Sequence, residues 1–324
     1  MRRIQLVGQG TYIVALPKSW VIERKLSKGS LVKIKTLPSG ELLVEPFRES
    51  SRRDEKTAVV ELTRNNYETA LRSIISYYIA GASLIEIRYS LELDKRVAQL
   101  IDQLRRILLG VEVLEVEPGA IKLYAVLDDY AVDFWEAYSK MRRGVVSMIE
   151  DLELVVEEGN RKLAGLIVER DDIVDRLYLY LVRQLTKSLL EGRASSVIGL
   201  ATPAEAPHVF LAIKSLERIG DHITIIASLV YSEALSPVEL RDYLDKIKET
   251  KTYVVQATRL LREPEADKAD RLIGSVSKLR RELSIIRDLA TGKQITQAIS
   301  SLVRINSYTQ DILEVIIDVT KIRT

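Results

Sequence analysis

The spacing of apolar and polar residues changes twice along the chain. Up to about residue 47, short apolar runs alternate with turn formers. Residues 4–7 and 12–15 read as strands on either side of Gly8-Gln9-Gly10. Pro17 suits the first turn of a short helix ending near Leu26, and Gly29 suits its stop. Residues 31–36 and 42–44 flank Leu37-Pro38-Ser39-Gly40, which predicts a hairpin. The polar stretch 48–56 reads as a linker. From 57 to 127, strand and helix patterns alternate: strands at 58–62 and 84–89, helices at 66–80 and 94–109, then a hairpin of 111–116 and 121–126 around Glu117-Pro118-Gly119. This βαβαββ order predicts a small α/β domain. It contains no chemical motif.

From Tyr130 onward the period is helical. Breaks near Gly159, 192–203, Ser236-Pro237, Pro264 and Gly292 predict helices at about 130–158, 161–191, 204–232, 237–262, 265–290 and 294–322. Long helices with short connections fit antiparallel bundles. The predicted fold class is multidomain and mainly α. A β domain spans 1–47, an α/β domain 57–127, and helical segments 130–232 and 237–324.

The helical part contains a repeat. Ile213-Lys-Ser-Leu-Glu-Arg-Ile-Gly-Asp221 matches Ile299-Ser-Ser-Leu-Val-Arg-Ile-Asn-Ser307, 86 residues later. Asp171-Asp-Ile-Val-Asp-Arg-Leu177 can be laid over Ala266-Asp-Lys-Ala-Asp-Arg-Leu272. Two copies of one three-helix unit are therefore predicted.

The copies differ in their carboxylates. Asp171 and Asp175 are one helical turn apart, as are Glu217 and Asp221, so each pair shares a face. Under this overlay the second copy has Ala266, Asp270, Val303 and Ser307. Like charges at that spacing repel, and a cation relieves the repulsion. The four carboxylates are thus candidate ligands for a metal ion. His222 is a candidate nitrogen ligand or a contact behind the ligands. Asp129 and Asp133 share the spacing but read as a helix start, where acids suit the dipole.

Composition narrows the chemistry. The 324 residues include no cysteine and two histidines, His208 and His222. This excludes disulfides, thiolate metal sites and a Cys nucleophile, and it fits a reducing cytoplasm. The longest uncharged run, 4–17, is too short and too polar to span a membrane. The net charge of +2 conceals a gradient: residues 1–56 hold 12 Lys+Arg and 6 Asp+Glu, a net +6, and the rest a net −4. A basic head on an acidic body predicts different partners for each. Arg2, Arg3, Lys18, Arg24 and Lys25 are the candidate phosphate-backbone contacts if the head binds DNA. Trp20 and Tyr12 read as core residues rather than a base-stacking platform.

Ser215-Leu-Glu-Arg-Ile-Gly-Asp-His222 resembles the third-helix motif of the PhoU family, and Asp171-x-x-x-Asp175 its second-helix acidic motif. The resemblance covers roughly 130–324 and implies a pair of three-helix bundles. It also implies multinuclear metal clusters of iron or other divalent ions (zinc, nickel, manganese or magnesium) on Asp171, Asp175, Glu217 and Asp221. It implies negative regulation of phosphate uptake, together with a phosphate transporter and its signalling proteins. Val303 and Ser307 depart from the family's acidic pattern, so one cluster is expected. The head, Gly10-Thr-Tyr-Ile-Val-Ala-Leu-Pro-Lys-Ser-Trp20 followed by Leu26-Ser-Lys-Gly-Ser30, resembles the AbrB/SpoVT-type swapped-hairpin domain. That resemblance implies an intertwined homodimer and, in many members, DNA binding. The combination resembles an archaeal architecture.

Three functions follow for comparison. One is a cytoplasmic, DNA-binding regulator of phosphate uptake whose helical body holds metal. The second is an adaptor on a transporter or signalling kinase, with the head serving only to dimerise. The third, a metal-dependent hydrolase, lacks a general base, a phosphate loop or a nucleophile motif. The expected protein is not an enzyme.

Overall fold

A computed structural model describes residues 3–8, 10–36, 42–46, 57–127 and 130–324. They form two compact units, Met1–Glu55 and Lys56–Thr324. Arg2, the turn at 37–40, the linker at 48–56 and Asp129 lie outside the described residues.

In the first unit, β1 (Gln5–Val7) and β2 (Thr11–Ile13) pair antiparallel with Leu6 opposite Tyr12. A single-turn-and-a-half helix, α1 (Lys18–Glu23), follows, and β3 (Val32–Thr36) pairs antiparallel with β4 (Leu42–Pro46). Among the described residues of this unit none is buried. Leu6 is 60%, Tyr12 72% and Ile34 59% exposed. Tyr12, expected in a core, is therefore not covered within one chain. Two-stranded hairpins offer too little surface to bury a core on their own.

The second unit begins with β5 (Thr57–Leu62), α2 (Tyr67–Ile79), β6 (Leu84–Tyr89), α3 (Asp94–Ile107), β7 (Val111–Glu117) and β8 (Ala120–Ala125). The sheet order is β5-β6-β8-β7, with β5 and β6 parallel and the other pairs antiparallel. Ala58, Val60 and Leu62 alternate inward along β5 and pack with Ile74, Tyr78 and Leu104 of the two helices. Gly119, at φ 77, supplies the left-handed residue that the tight β7–β8 turn needs.

This α/β layer is joined to the helical body. Arg183, only 2% exposed, donates to the Ala82 carbonyl at 2.9 Å and to the Tyr78 carbonyl, and its guanidinium stacks on the Tyr78 ring. It thus caps the C-terminal end of α2, where a cation suits the orphan carbonyls.

Six long helices make up the body. α4 (Phe134–Glu158) is capped by Asp133, whose carboxylate accepts from the Glu136 amide at 3.0 Å. α5 (Arg161–Leu190) is capped by Asn160, and the four-residue α6 (Ala194–Val197) lies in the break that follows. After a 3₁₀ turn at Pro203–Glu205 come α7 (Ala206–Tyr231), α8 (Leu244–Leu260), α9 (Ala266–Leu289) and α10 (Lys293–Arg323). α8 starts seven residues later than the periodicity predicts, because Pro237–Tyr243 form a 3₁₀ segment. A Ser236–Glu239 capping box fixes that tighter turn. α5 packs against α4 and α7, and α10 packs against α7, α8 and α9. Leu216 and Ile219 of α7 and Leu302 and Ile305 of α10 are all buried in one continuous core.

One sequence overlay is displaced. Ser277 of α9 donates to Gln310 of α10 at 3.1 Å. Counting along these antiparallel helices from that pair, the α9 residues opposite Ser307 and Val303 are Arg280 and Ser284, not Ala266 and Asp270. From Asp270 to Ser284 is fourteen residues, close to four helical turns. A slip of nearly whole turns preserves the apolar phase, so the sequence pattern alone does not distinguish the two registers.

Candidate metal centre

The geometry of α5 and α7 brings both acidic pairs to one place. Asp171 and Asp175 lie on the α5 stripe that meets α7. Val174, fully buried between them, packs under Gly220 of α7. A Cβ built at Gly220 would lie 3.5 Å from both Val174 and the Asp171 carboxylate, so side chains of α5 pack directly over this point of α7. Asp171, Asp175 and Asp221 each offer a carboxylate oxygen, and the three atoms lie within 4.8 Å of one another.

Their electrostatics are those of crowded, half-buried anions. The Asp171 carboxyl is pushed up to about 7, first by burial and then by Asp175 and Asp221. Thr224 lies near enough to oppose this shift, although its hydroxyl does not reach hydrogen-bond geometry. The Asp175 carboxyl is pushed up to about 6, by burial, then Glu217 and Asp221, with Lys214 opposing. Oδ1 of Asp171, Oδ1 of Asp175 and Oε2 of Glu217 are buried without a hydrogen-bond partner. Buried carboxylate oxygens left this way carry a desolvation penalty, which a cation between them would relieve. The donor set, all oxygen, fits a hard or borderline cation.

Glu217 is the outlying member. It lies outside the three-aspartate group, and its Oε1 accepts from Lys214 at 2.5 Å, while burial raises its pKa and Lys214 opposes the rise. Arg218 donates to Asp221 at 3.0 Å. The ammonium of Lys214 also sits 4.6 Å from the Tyr178 ring. Two basic side chains of α7 therefore neutralise the α7 acids from outside and leave the α5 pair facing inward.

His222 points elsewhere. Its Nδ1 lies 3.3 Å from the Ser301 hydroxyl, and its ring stacks on Tyr308, both on α10. Burial lowers its pKa, so the neutral ring is favoured. Adjacency to Asp221 in sequence becomes a turn of about 100° around the helix, which directs the ring to the α7–α10 contact. In the first unit, Arg3, Lys18, Arg24 and Lys25 are all exposed.

Sequence reasoning missed Lys214 and Arg218, which screen the acids, and Arg183, which ties α5 to the α/β layer. Arg183 does leave a signal: a charge within the apolar run Leu181-Val-Arg-Gln-Leu185.

The arrangement defines a class: a helical bundle with a carboxylate cluster between two of its helices. Residues 138–230 match the family model of the PhoU domain. The curated "Phosphate-specific transport system accessory protein PhoU homolog" of Rhizobium meliloti (strain 1021) is 33% identical over 87 residues, which is 27% of this chain and 33% of that protein. The chain thus spans about a third of the length of the curated relative it matches. Among solved structures, PhoU from Pseudomonas aeruginosa is 20% identical with a TM-score of 0.47, covering 58% of this chain and 95% of that one. The phosphate transport system regulatory protein PhoU from Streptococcus pneumoniae is 17% identical with a TM-score of 0.44, covering 58% and 93%. The carboxylate cluster lies inside the matched segment. No described helix is long and apolar enough to cross a membrane.

Proposed function

We propose that this protein is a cytoplasmic, non-enzymatic regulator of phosphate uptake, and that its helical body holds metal on Asp171, Asp175 and Asp221, with Glu217 at the edge. The observation that carries this reading is the coincidence of the PhoU-domain match with buried, unpartnered carboxylate oxygens. The curated relative's name supplies the phosphate-transport context. A bound divalent or ferric ion would supply positive charge that keeps the three aspartates ionised and ties α5 to α7. Lys214 and Arg218 would limit the residual negative charge at the surface. Because α5 also anchors the α/β layer through Arg183, its position relative to α7 is a route by which metal state reaches the rest of the unit. The test in cells is phosphate uptake: loss of the protein should raise uptake in phosphate-rich medium, and unchanged uptake would reject the reading.

The first unit is proposed to form a homodimer, since its apolar residues lack cover within one chain. A swapped-hairpin pairing would cover them and would bring two basic heads together. DNA contact by Arg2, Arg3, Lys18, Arg24 and Lys25 is one use of that dimer. The exposed apolar residues support an adaptor equally well, one that dimerises through this unit and docks on a transporter or kinase. A gel shift with upstream DNA separates the two. Binding that falls steeply with salt supports the DNA reading, and no shift at low salt leaves the adaptor.

A further inference from the structure

Threonines inside the long helices follow a common pattern. Thr258, Thr309 and Thr320 each donate to the carbonyl four residues back, at 2.7, 2.8 and 2.7 Å. That is the usual way a helical threonine satisfies its hydroxyl. Thr224 of α7 departs from it. Its hydroxyl is buried and has no hydrogen-bond partner, although the Gly220 carbonyl stands four residues back. Thr224 follows Gly220 by four residues and Asp221 by three, so it shares their helical stripe. Asp171 packs on that stripe, with its carboxylate 3.5 Å from a Cβ built at Gly220.

Two orphan atoms thus meet at the α5–α7 contact. Oδ1 of Asp171 is an acceptor without a donor, and the Thr224 hydroxyl is able to donate. The two groups are close enough for the hydroxyl to favour the Asp171 carboxylate over its acid form. Each carries a desolvation penalty while it stays unpaired. Packing alone does not explain the hydroxyl, because a valine side chain has nearly the same shape without that penalty. A metal site does explain it. Carboxylates that hold an ion are themselves held by hydrogen bonds, which fix the oxygen that faces the ion. Lys214 serves Glu217 in this way and Arg218 serves Asp221. For Asp171, the group in place is the hydroxyl of Thr224.

Resting on the metal reading above, we propose that Thr224 is a positioning residue of the carboxylate centre: with an ion bound, its hydroxyl donates to one oxygen of Asp171 and leaves the other for the ion. Metal loading then satisfies a hydroxyl that the metal-free chain leaves without a partner. The contribution of Thr224 therefore differs between the two states. It adds affinity to the loaded site and adds no hydrogen bond to the metal-free fold.

The test is calorimetric titration of the metal-free full chain with manganese(II), iron(II) and zinc(II) in turn, for wild type, Thr224→Val and Thr224→Ser. The variants are compared using the ion that wild type binds most tightly. Thr224→Val should weaken that ion by at least about tenfold, the loss typical when a group behind a ligand is removed. Thr224→Ser, which keeps the hydroxyl, should restore most of the affinity. Without metal, Thr224→Val should keep or raise the thermal midpoint, because it removes a buried hydroxyl that has no partner. The proposal is overturned if Thr224→Val binds within about threefold of wild type, or if Thr224→Ser binds no better than Thr224→Val. A metal-free midpoint lowered by Thr224→Val would also overturn it, by making the hydroxyl a contact of the fold itself. Failure of the metal reading has a different signature: wild type would bind none of the three ions, and the role of Thr224 would fall with it.

Discussion

The α5–α7 contact carries Asp171, Asp175, Glu217 and Asp221, whereas the α9–α10 contact carries Arg280, Ser284, Val303 and Ser307 at the opposing positions. Beneath them the packing is alike: Val174, Leu216 and Ile219 are buried on one side, Leu283, Leu302 and Ile305 on the other. In the second set, Ser284 and Ser307 turn back to the carbonyls of Arg280 and Val303 at 2.9 and 3.0 Å, so their hydroxyls are satisfied within their own helices. In the first set three carboxylate oxygens have no hydrogen-bond partner, and one of them, Oε2 of Glu217, lies 3.7 Å from Nε of Arg218. The apolar phase sets the scaffold, and four lateral positions set the charge that the groove presents. Burial is similar, so the difference in chemistry lies in those side chains.

The largest expected effect concerns stability. A metal supplied at a hundred times its dissociation constant should stabilise the folded chain by about 2.7 kcal/mol, seen as a rise of several degrees in the calorimetric midpoint. Asp171→Ala with Asp221→Ala should abolish that rise. A wild-type midpoint indifferent to metal would break the comparison at its acidic side.

The next effect is on pH dependence without metal. The folded pKa values of Asp171 and Asp175, about 7 and about 6, lie above that of an ordinary aspartate. The folded state therefore binds more protons than the unfolded state in that interval, and stability falls as pH rises through it. The midpoint of metal-free protein should thus increase as pH is lowered from about 8 towards 5. Asp171→Asn should flatten the trend and raise the metal-free midpoint near neutral pH. A metal-free midpoint that falls over the same interval would contradict the buried, crowded aspartates.

A graft sharpens the comparison further. Arg280→Asp, Ser284→Asp, Val303→Glu and Ser307→Asp together should add metal-binding capacity in the second set. Ala266→Asp, Val303→Glu and Ser307→Asp, which rely on Asp270, should add none. If the second graft binds and the first does not, the register drawn from Ser277 and Gln310 is wrong. The smallest effect should come from Ser277→Ala, which loses one hydrogen bond worth about 0.5–1.5 kcal/mol and should leave metal binding untouched.

Much of this was legible in the sequence. The six helices, the βαβαββ order and the strand pairs of the head follow from periodicity and punctuation. Asp171, Asp175 and Asp221 were identifiable because helical spacing reports which residues share a face. The α9 register was not, since a displacement near four turns leaves every apolar residue in phase. The direction of His222 was lost because neighbours in sequence diverge around a helix. The environment of Glu217 depends on Lys214, and that of Arg183 on carbonyls about a hundred residues away in the α/β layer. Such contacts require the packed arrangement.

The most direct measurement is metal content per chain by elemental analysis, for wild type, for Asp175→Ala with Asp221→Ala, and for Arg280→Ala. Wild type and Arg280→Ala should carry metal at the same fixed ratio, and the aspartate double variant should lose it. Equal metal in the wild type and the aspartate variant would contradict a carboxylate centre between α5 and α7.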